Sequence, residues 1–281
     1  MFDDIDLEQP FKFLPVAGAA QRDAIAKLFA KRSIVQDIYG TPSPVLNFVS
    51  PNAPSTAGVQ HYHQTVNGCA SCVAFKFNNG VVMSADTLVS YGTMSRFTSV
   101  DRVFKLADRI MLGCSGEFSD FQYLQRNYAP WFMQKIFYNE IPYPEQFFKH
   151  ITGLLYKERC KMRRLNINVI IGGITRACEA FLGRIDTRGT PTRAEACCTG
   201  MGQYLAMPLI KERFMQKHKP PINRKEAIKL IDTCMMVLHY RDCLAIRKYK
   251  MAICTPKGVE IIGPIKCHED WSIAKGVIGY N

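Results

Sequence analysis

The sequence predicts an α/β protein of the α+β type, built as a four-layer αββα sandwich. Strand and helix patterns follow one another in blocks along the chain: strands, two helices, strands, two helices, strands. Turn residues between neighbouring strands indicate hairpins, which give antiparallel sheets with an apolar face to cover. Apolar residues make up 47% of the 281 residues, enough to fill a large core. Stacking two sheets and laying one helix pair on each outer face buries all of these apolar surfaces.

The first block of strands begins at Cys72 with a regular alternation. In "CVAFKF", residues 72–77, successive side chains are expected to face opposite sides of a sheet. Asn78-Asn79-Gly80 then predicts a hairpin turn of the Asn-Gly kind. The other strands of this block are predicted over 81–86, 102–106 and 110–115.

Two helix pairs and two more blocks of strands complete the predicted core. Pro144 is expected at the start of a helix, and Pro130 predicts a kink or a break in the helix before it. The helices are predicted over 119–138, from 144 onward, over 202–217 and over 224–242, and the strands over 167–175, 180–186, 194–199, 249–255 and 258–263.

The chain divides into an arm, a core domain and a tail. Residues 1–66 hold a short helical pattern near 20–38, followed by a stretch rich in proline, serine and asparagine that predicts an extended arm or linker. Residues 67–264 form the predicted core domain, because neither half of the strand and helix pattern is complete alone. The tail, residues 265–281, has no strong pattern.

Composition narrows the class of protein. The formal charge of +12 comes mostly from two basic stretches, 157–164 and 211–225, which lie at predicted helix ends where cations are well placed. No aromatic platform or zinc-finger spacing accompanies them, so we expect no nucleic-acid partner, with RNA binding kept as an alternative.

The sequence lacks a long apolar run and its first residues are acidic, which predicts an intracellular protein without a membrane partner. The eleven cysteines are expected to be free thiols.

Seven motifs occur in order through the core domain: GVVMSADTLVSYG, MLGCSGEFSDFQYL, VIIGG, FLGRIDTRG, TGMGQYLAMPL, LHYRD and KGVEIIGPI. Together they resemble β subunits of the proteasome core particle, members of the N-terminal-nucleophile hydrolase family. Three pieces, DFQYL, CMMVLHYRD and WSIA, are most similar to the non-catalytic beta type-4 class. The resemblance implies the N-terminal-nucleophile hydrolase fold and a propeptide-like role for residues 1–66.

The resemblance also implies where an active member would carry its catalytic groups. Active members use an N-terminal threonine as nucleophile and base, assisted by a lysine, an aspartate and a glycine amide. The threonine's position, 16 residues before Asp86, is Ala70, which has neither hydroxyl nor thiol. The other matching positions are Arg102 for the lysine, Gly116 for the oxyanion-hole glycine, Asp242 for a second aspartate and Ala245 where a serine is expected.

These substitutions predict a site without catalysis. Arginine stays protonated near neutral pH, so Arg102 is expected to form a structural ion pair with Asp86 rather than to assist proton transfer. Gly116 is expected to serve a tight turn between a strand and a helix.

The alternative is an N-terminal-nucleophile hydrolase that uses Cys69 after cleavage behind Gly68. The alternation of side chains in a strand predicts that Cys69 and Ser71 point away from the side to which Ala70 points. The same stretch, Cys69-Ala-Ser-Cys72, has C-x-x-C spacing but no second ligand pair, so no metal or other cofactor is expected.

The resemblance implies a structural role within a particle. We expect a silent subunit of a threonine-type endopeptidase complex, with proteasome α and β subunits as partners in stacked hetero-oligomeric rings, two copies per particle. The location implied is the cytoplasm and the nucleus. Trp271 and Ile273 in the tail are the candidate residues for contact with a neighbouring subunit, because aromatic side chains often dominate interfaces.

Overall fold

Two antiparallel sheets and four helices make up the part of the chain that the structure describes. The structure, a computed structural model, covers residues 67–138, 140, 142–216 and 220–272. The predicted helical pattern near 20–38, the rest of the arm, and Ile273 lie outside the described residues. Thirteen strands and four helices are found within those ranges.

The strands and helices follow the predicted order. The strands are β1 Asn67–Cys69, β2 Cys72–Phe77, β3 Gly80–Asp86, β4 Val89–Tyr91, β5 Met94–Phe97, β6 Val103–Ala107, β7 Ile110–Glu117, β8 Ile167–Ile174, β9 Ala180–Ile185, β10 Pro191–Arg193, β11 Ala196–Cys198, β12 Lys248–Thr255 and β13 Gly258–Lys266. The helices are α1 Phe118–Phe137, α2 Pro144–Cys160, α3 Gly202–Met215 and α4 Arg224–Arg241.

The strands form one sheet of eight and one of five. In the larger sheet the order is β10-β9-β8-β7-β1-β4-β5, with β6 also paired to β7; in the smaller it is β11-β2-β3-β12-β13. All pairs are antiparallel, as the hairpin pattern predicts.

Three clusters of buried side chains confirm the four layers. One lies between the two sheets and includes Cys72 and Ala74 of β2. A second joins the smaller sheet to α3 and α4 and takes the alternate β2 residues Val73 and Phe75. The third joins the larger sheet to α1 and α2. The alternation predicted for residues 72–77 therefore divides the side chains of β2 between two layers.

The β2–β3 hairpin forms where it was predicted, although its glycine has another role. Phe77 pairs with Gly80, so the loop consists of Asn78 and Asn79, and Gly80 already belongs to β3. A Cβ atom at Gly80 would lie 1.9 Å from the carbonyl oxygen of Cys254 in β12. Glycine is required here because two strands approach closely, and not because the turn needs a left-handed residue.

Some expectations are corrected by the structure. The strand predicted over 194–199 is shorter, because Pro191–Arg193 pairs in the larger sheet whereas Ala196–Cys198 pairs in the smaller one. Helix α1 runs without a break through Pro130. Phe121, Leu124, Tyr128 and Phe132, which lie on both sides of the proline, are buried against the larger sheet and hold the helix in place.

The last strand extends further than predicted. β13 includes Ile265 and Lys266, so the sheet takes up the first two residues assigned to the tail. Beyond it, Glu269 contacts His239 and Arg247 at 3.2 Å and 2.6 Å, which holds this segment beside the end of α4.

Helix α3 carries large apolar side chains on its outward side as well as on its buried side. Ala206 and Ile210 are buried beneath it, whereas Tyr204 is 74% exposed and Met215 is 76% exposed. A surface helix that is apolar on both sides is typical of a contact with another molecule. Among the described helices, none is both long enough and apolar enough to cross a membrane.

Candidate functional site

The candidate site lies where the chain passes from one sheet to the other. Strand β1 belongs to the larger sheet and β2 to the smaller, so Ala70 and Ser71 form the crossing between them. Ser71 Oγ accepts a hydrogen bond of 2.9 Å from the amide of Gly202 at the start of α3. The hydroxyl of Thr199 accepts a hydrogen bond of 3.0 Å from the Cys72 amide. These contacts fix the backbone on the C-terminal side of Ala70.

A buried ion pair joins Asp86, at the end of β3, to Arg102, which precedes β6. Arg102 is 1% exposed and Asp86 is 2% exposed, so water does not screen the two charges. Burial raises the pKa of the Asp86 carboxyl to about 6, and the Arg102 guanidinium acts in the opposite direction. Asp86 in turn raises the pKa of Arg102, which therefore remains a cation.

The Arg102 guanidinium also binds the crossing segment and β7. Its Nη2 atom donates to the carbonyl oxygens of Ala70 at 2.7 Å, Ser71 at 3.2 Å and Cys114 at 3.2 Å. A charged donor bound to several carbonyls is a strong point of attachment. Arg102 therefore holds together two sheets and the Ala70 backbone, and it has no lone pair with which to accept a proton.

Gly116 lies in β7, opposite Cys69 of β1 and Ile167 of β8. Its φ of +98° is in the region that side chains rarely adopt, and a Cβ atom there would lie 2.3 Å from the carbonyl oxygen of Asn166. Glu117 and helix α1 follow directly. The passage from β7 to α1 therefore requires glycine. This requirement explains why residue 116 is glycine without giving it any role in binding an oxyanion.

Asp242 and Ala245 lie in the loop after α4. Asp242 is buried and accepts a hydrogen bond of 3.0 Å from the Leu244 amide, and its carbonyl accepts one of 3.1 Å from the Ala245 amide. The next amide, that of Ile246, interacts with the Asp86 carboxylate. The loop is therefore part of the same cluster.

The structure brings Ala70, Asp86, Arg102, Gly116, Asp242 and Ala245 together. Trp271 lies elsewhere, with its ring 5.1 Å from that of Tyr240 in α4, and it is 55% exposed. Sequence reasoning missed Ser90, Glu117 and Thr199, which contact the segment around Ala70. No local pattern marks these three residues, because each acts on a strand far away along the chain.

The Cys69 thiol is close enough to the Arg102 guanidinium for the cation to act on its pKa. The predicted direction of Cys69 and Ser71 relative to Ala70 stays a prediction. Alternation holds only within one strand, and the chain changes sheets between Cys69 and Cys72. Burial nevertheless raises the pKa of the Cys69 thiol, and this effect outweighs the opposing influence of Arg102.

The raised pKa predicts that Cys69 reacts slowly with iodoacetamide at neutral pH, because only the thiolate is nucleophilic. The exposed thiols of Cys160, Cys178 and Cys243 should be alkylated first. Mass spectrometry of peptides sampled over time measures each rate. Unfolding the chain should remove the difference. Alkylation of Cys69 as fast as that of Cys243 in the folded chain would instead indicate an activated nucleophile.

Comparison with known proteins agrees with this fold and this arrangement. The sequence pattern that defines proteasome subunits matches residues 66–254, which include all six positions of the cluster. The chain therefore belongs to the proteasome subunit family, whose β members have the N-terminal-nucleophile hydrolase fold.

Individual relatives are named as type-4 or type-7 β subunits. The type-4 β subunit of Drosophila melanogaster is 34% identical over 233 residues, 79% of this chain and 83% of that protein. The type-4 β subunit of Xenopus laevis is 33% identical over 233 residues, covering 81% and 93% of the two chains. A Schizosaccharomyces pombe protein named probable proteasome subunit beta type-7 is 29% identical over 255 residues, covering 87% and 95%. The predicted likeness to type-4 β subunits is confirmed.

Proposed function

We propose that this chain is a non-catalytic structural β subunit of the proteasome core particle. The observation that supports the proposal is that Ala70, which the sequence resemblance aligns with the nucleophile position of the family, is held through its carbonyl by Arg102. A methyl group cannot attack a peptide bond. The chain thus supports the rings in which other subunits degrade proteins, in the ATP- and ubiquitin-dependent pathway.

The other residues of the cluster have structural roles instead of catalytic ones. Arg102 is a permanent cation bound to Asp86 and to three carbonyls, so it cannot exchange protons with a substrate. Gly116 is explained by its backbone conformation, and Ala245 lacks a hydroxyl. The family's framework is kept while its reactive atoms are replaced.

The partners proposed are α and β proteasome subunits in stacked hetero-oligomeric rings, with two copies of this chain per particle. The outward side chains of α3, among them Tyr204 and Met215, supply apolar surface for such contacts. Trp271 is a further contact residue, because it is half exposed and packs on Tyr240 at the end of α4. We place the particle in the cytoplasm and the nucleus.

The test is to purify the native assembly through a tag on this chain and to treat it with an epoxyketone, which bonds covalently to N-terminal nucleophiles. We expect many different α and β chains in the sample, with the reagent attached to some of them and absent from this chain. The labelled chains in the same sample are the positive control. An adduct on residue 69, 70 or 71, or an assembly without other proteasome subunits, would refute the proposal.

A further inference from the structure

The basic stretch at the end of α2 forms an exposed surface that the proposed function does not use. Its exposed cations are Lys157, Arg159, Lys161, Arg163 and Arg164. In the described part of the chain, Lys161 pairs with Glu158, and the other four cations have no ion pair with a carboxylate. Like charges this close together repel one another, so the surface is suited to an anionic partner.

The turn between β9 and β10 adds a sixth cation to the same surface. A Cβ atom at Gly189 would lie 2.8 Å from the backbone nitrogen of Tyr156, so the turn packs directly on α2. Arg188 in this turn is exposed. The Asp186 carboxylate accepts hydrogen bonds from the amides of Arg188 and Thr190, at 2.9 Å and 2.7 Å, and thus serves the turn itself. These six cations are called the basic surface below.

Met162 lies within the basic surface, in a backbone conformation that methionine rarely adopts. Its φ is +59°, and the residue is 91% exposed. The Met162 amide donates to the Arg159 carbonyl at 3.0 Å, and the Arg163 amide donates to the Glu158 carbonyl at 3.1 Å. A helix that ends in this way normally carries glycine where Met162 lies, so methionine makes the fold less stable. A large apolar side chain that faces water at a strained position is typical of a binding surface.

We infer that the basic surface binds the acidic beginning of this same chain, residues 2–8. Their sequence, FDDIDLE, contains four carboxylates and three large apolar side chains, without lysine or arginine. The carboxylates are complementary to the six cations. The apolar side chains are complementary to Met162 and to Tyr156, which is 53% exposed with the Arg159 guanidinium 5.7 Å from its ring centre. The inference does not depend on the proposed function, because both surfaces belong to one chain.

The position of residues 2–8 in the chain favours them as the partner. No other window of seven residues in the sequence holds as many carboxylates. Residues 9–66, which join this segment to β1, can span up to about 190 Å when extended. A domain of about 200 residues has a radius of gyration of about 17 Å, so the segment can reach the basic surface. Because the segment is tethered, even weak contacts hold it there. The full chain would thus cover its own basic surface, and loss of the arm would uncover it.

The test is to treat the full chain at low concentration with a carbodiimide, which joins carboxylates to lysines that they touch. In the monomer fraction, mass spectrometry should find cross-links from residues 2–8 to Lys157 or Lys161. We expect their yield to be at least about fivefold above that for Lys211 and Lys225, exposed lysines of the second basic stretch. About 0.5 M salt should remove most of this difference. An even distribution over the four lysines would overturn the inference.

Charge reversal tests whether the basic surface itself attracts the segment. Arg163→Glu combined with Arg164→Glu should lower the cross-links to Lys157 at least about fivefold. The matched control is Lys211→Glu combined with Lys225→Glu, which changes the same amount of charge in the second basic stretch. The control should leave the yield within about twofold of the unchanged chain. Equal losses in the two variants would overturn the inference.

A second reversal, in the acidic segment, should rescue the first. Asp3→Lys and Asp4→Lys, added to the chain with the reversed Arg163 and Arg164, restore opposite charges on the two surfaces. The cross-links that Asp6 makes to the basic surface should then recover. No recovery would contradict a direct contact between the two surfaces.

Met162→Gly tests the apolar part of the contact. Glycine suits the positive φ, so the variant should unfold at a higher urea concentration. It should also lower the cross-links from residues 2–8 to Lys161 about threefold, because an apolar contact is lost. A loss of stability, or an unchanged yield, would overturn the role given to Met162.

RNA is the other class of anionic partner that the same measurements address. Binding of a single-stranded oligouridylate to the full chain is measured by fluorescence anisotropy, with and without the reversal of Arg163 and Arg164. We expect no binding that depends on these two residues. Binding that they abolish, together with an absence of cross-links from residues 2–8, would assign the basic surface to RNA and overturn the inference.

Discussion

Replacing Arg102 with methionine should lower the free energy of unfolding by about 3 to 5 kcal/mol, the loss typical of breaking a buried ion pair. The variant leaves the Asp86 carboxyl buried without its cation, and it removes the donors that bind the carbonyls of Ala70, Ser71 and Cys114. Urea unfolding of the purified chain at low concentration measures the change.

Arg224→Met is the control for the loss of an arginine. Its partner Glu260 lies 2.5 Å away, but the two side chains are 48% and 56% exposed, and exposed pairs contribute about 0 to 1 kcal/mol. Adding Asp86→Ala to Arg102→Met should recover part of the loss, because the unpaired carboxylate is removed. Equal losses for Arg102→Met and Arg224→Met would mean that the buried pair does not hold the sheets together.

The second large effect is expected at Gly116. Gly116→Ala should lower the free energy of unfolding by at least about 2 kcal/mol, because alanine is strained at positive φ and its Cβ meets a backbone oxygen. The same substitution at Gly153 in α2 is the control, since nothing lies within 4 Å of a Cβ atom there. Gly153→Ala should raise stability by about 0.5 to 1 kcal/mol. If Gly116→Ala lowered the free energy of unfolding no more than a typical surface substitution does, the requirement for glycine at this position would be contradicted.

The main features of the fold could be predicted because they repeat along the chain. The alternation in β2 and the apolar faces of the helices persist for many residues, so the larger elements were placed to within a few positions. The short strands β1, β4, β5 and β10 were missed, since each has three or four residues and gains its partners from distant segments. Pro130 does not break α1, because packing of the helix on the sheet outweighs a local preference, whereas the predicted kink stays a prediction.

The site was predictable in its residue types and less so in its geometry. The resemblance identified Ala70, Asp86 and Arg102, and the structure brings them together. No local signal shows that the chain changes sheets at Ala70, so the alternation that was applied to Cys69 does not extend past that residue. Likewise, the roles of Glu117 and Ser90 depend on β1, which appears only when the two neighbouring strands are in place.

The outer surface of α3 has a consequence for handling the protein. Tyr204 and Met215 face water, so a chain made without its partners would expose an apolar surface. It would tend to self-associate as its concentration rises. Synthesis of this chain together with the neighbouring subunits avoids that self-association. Recombinant production should therefore supply the companions at the same time rather than add them to a stored stock.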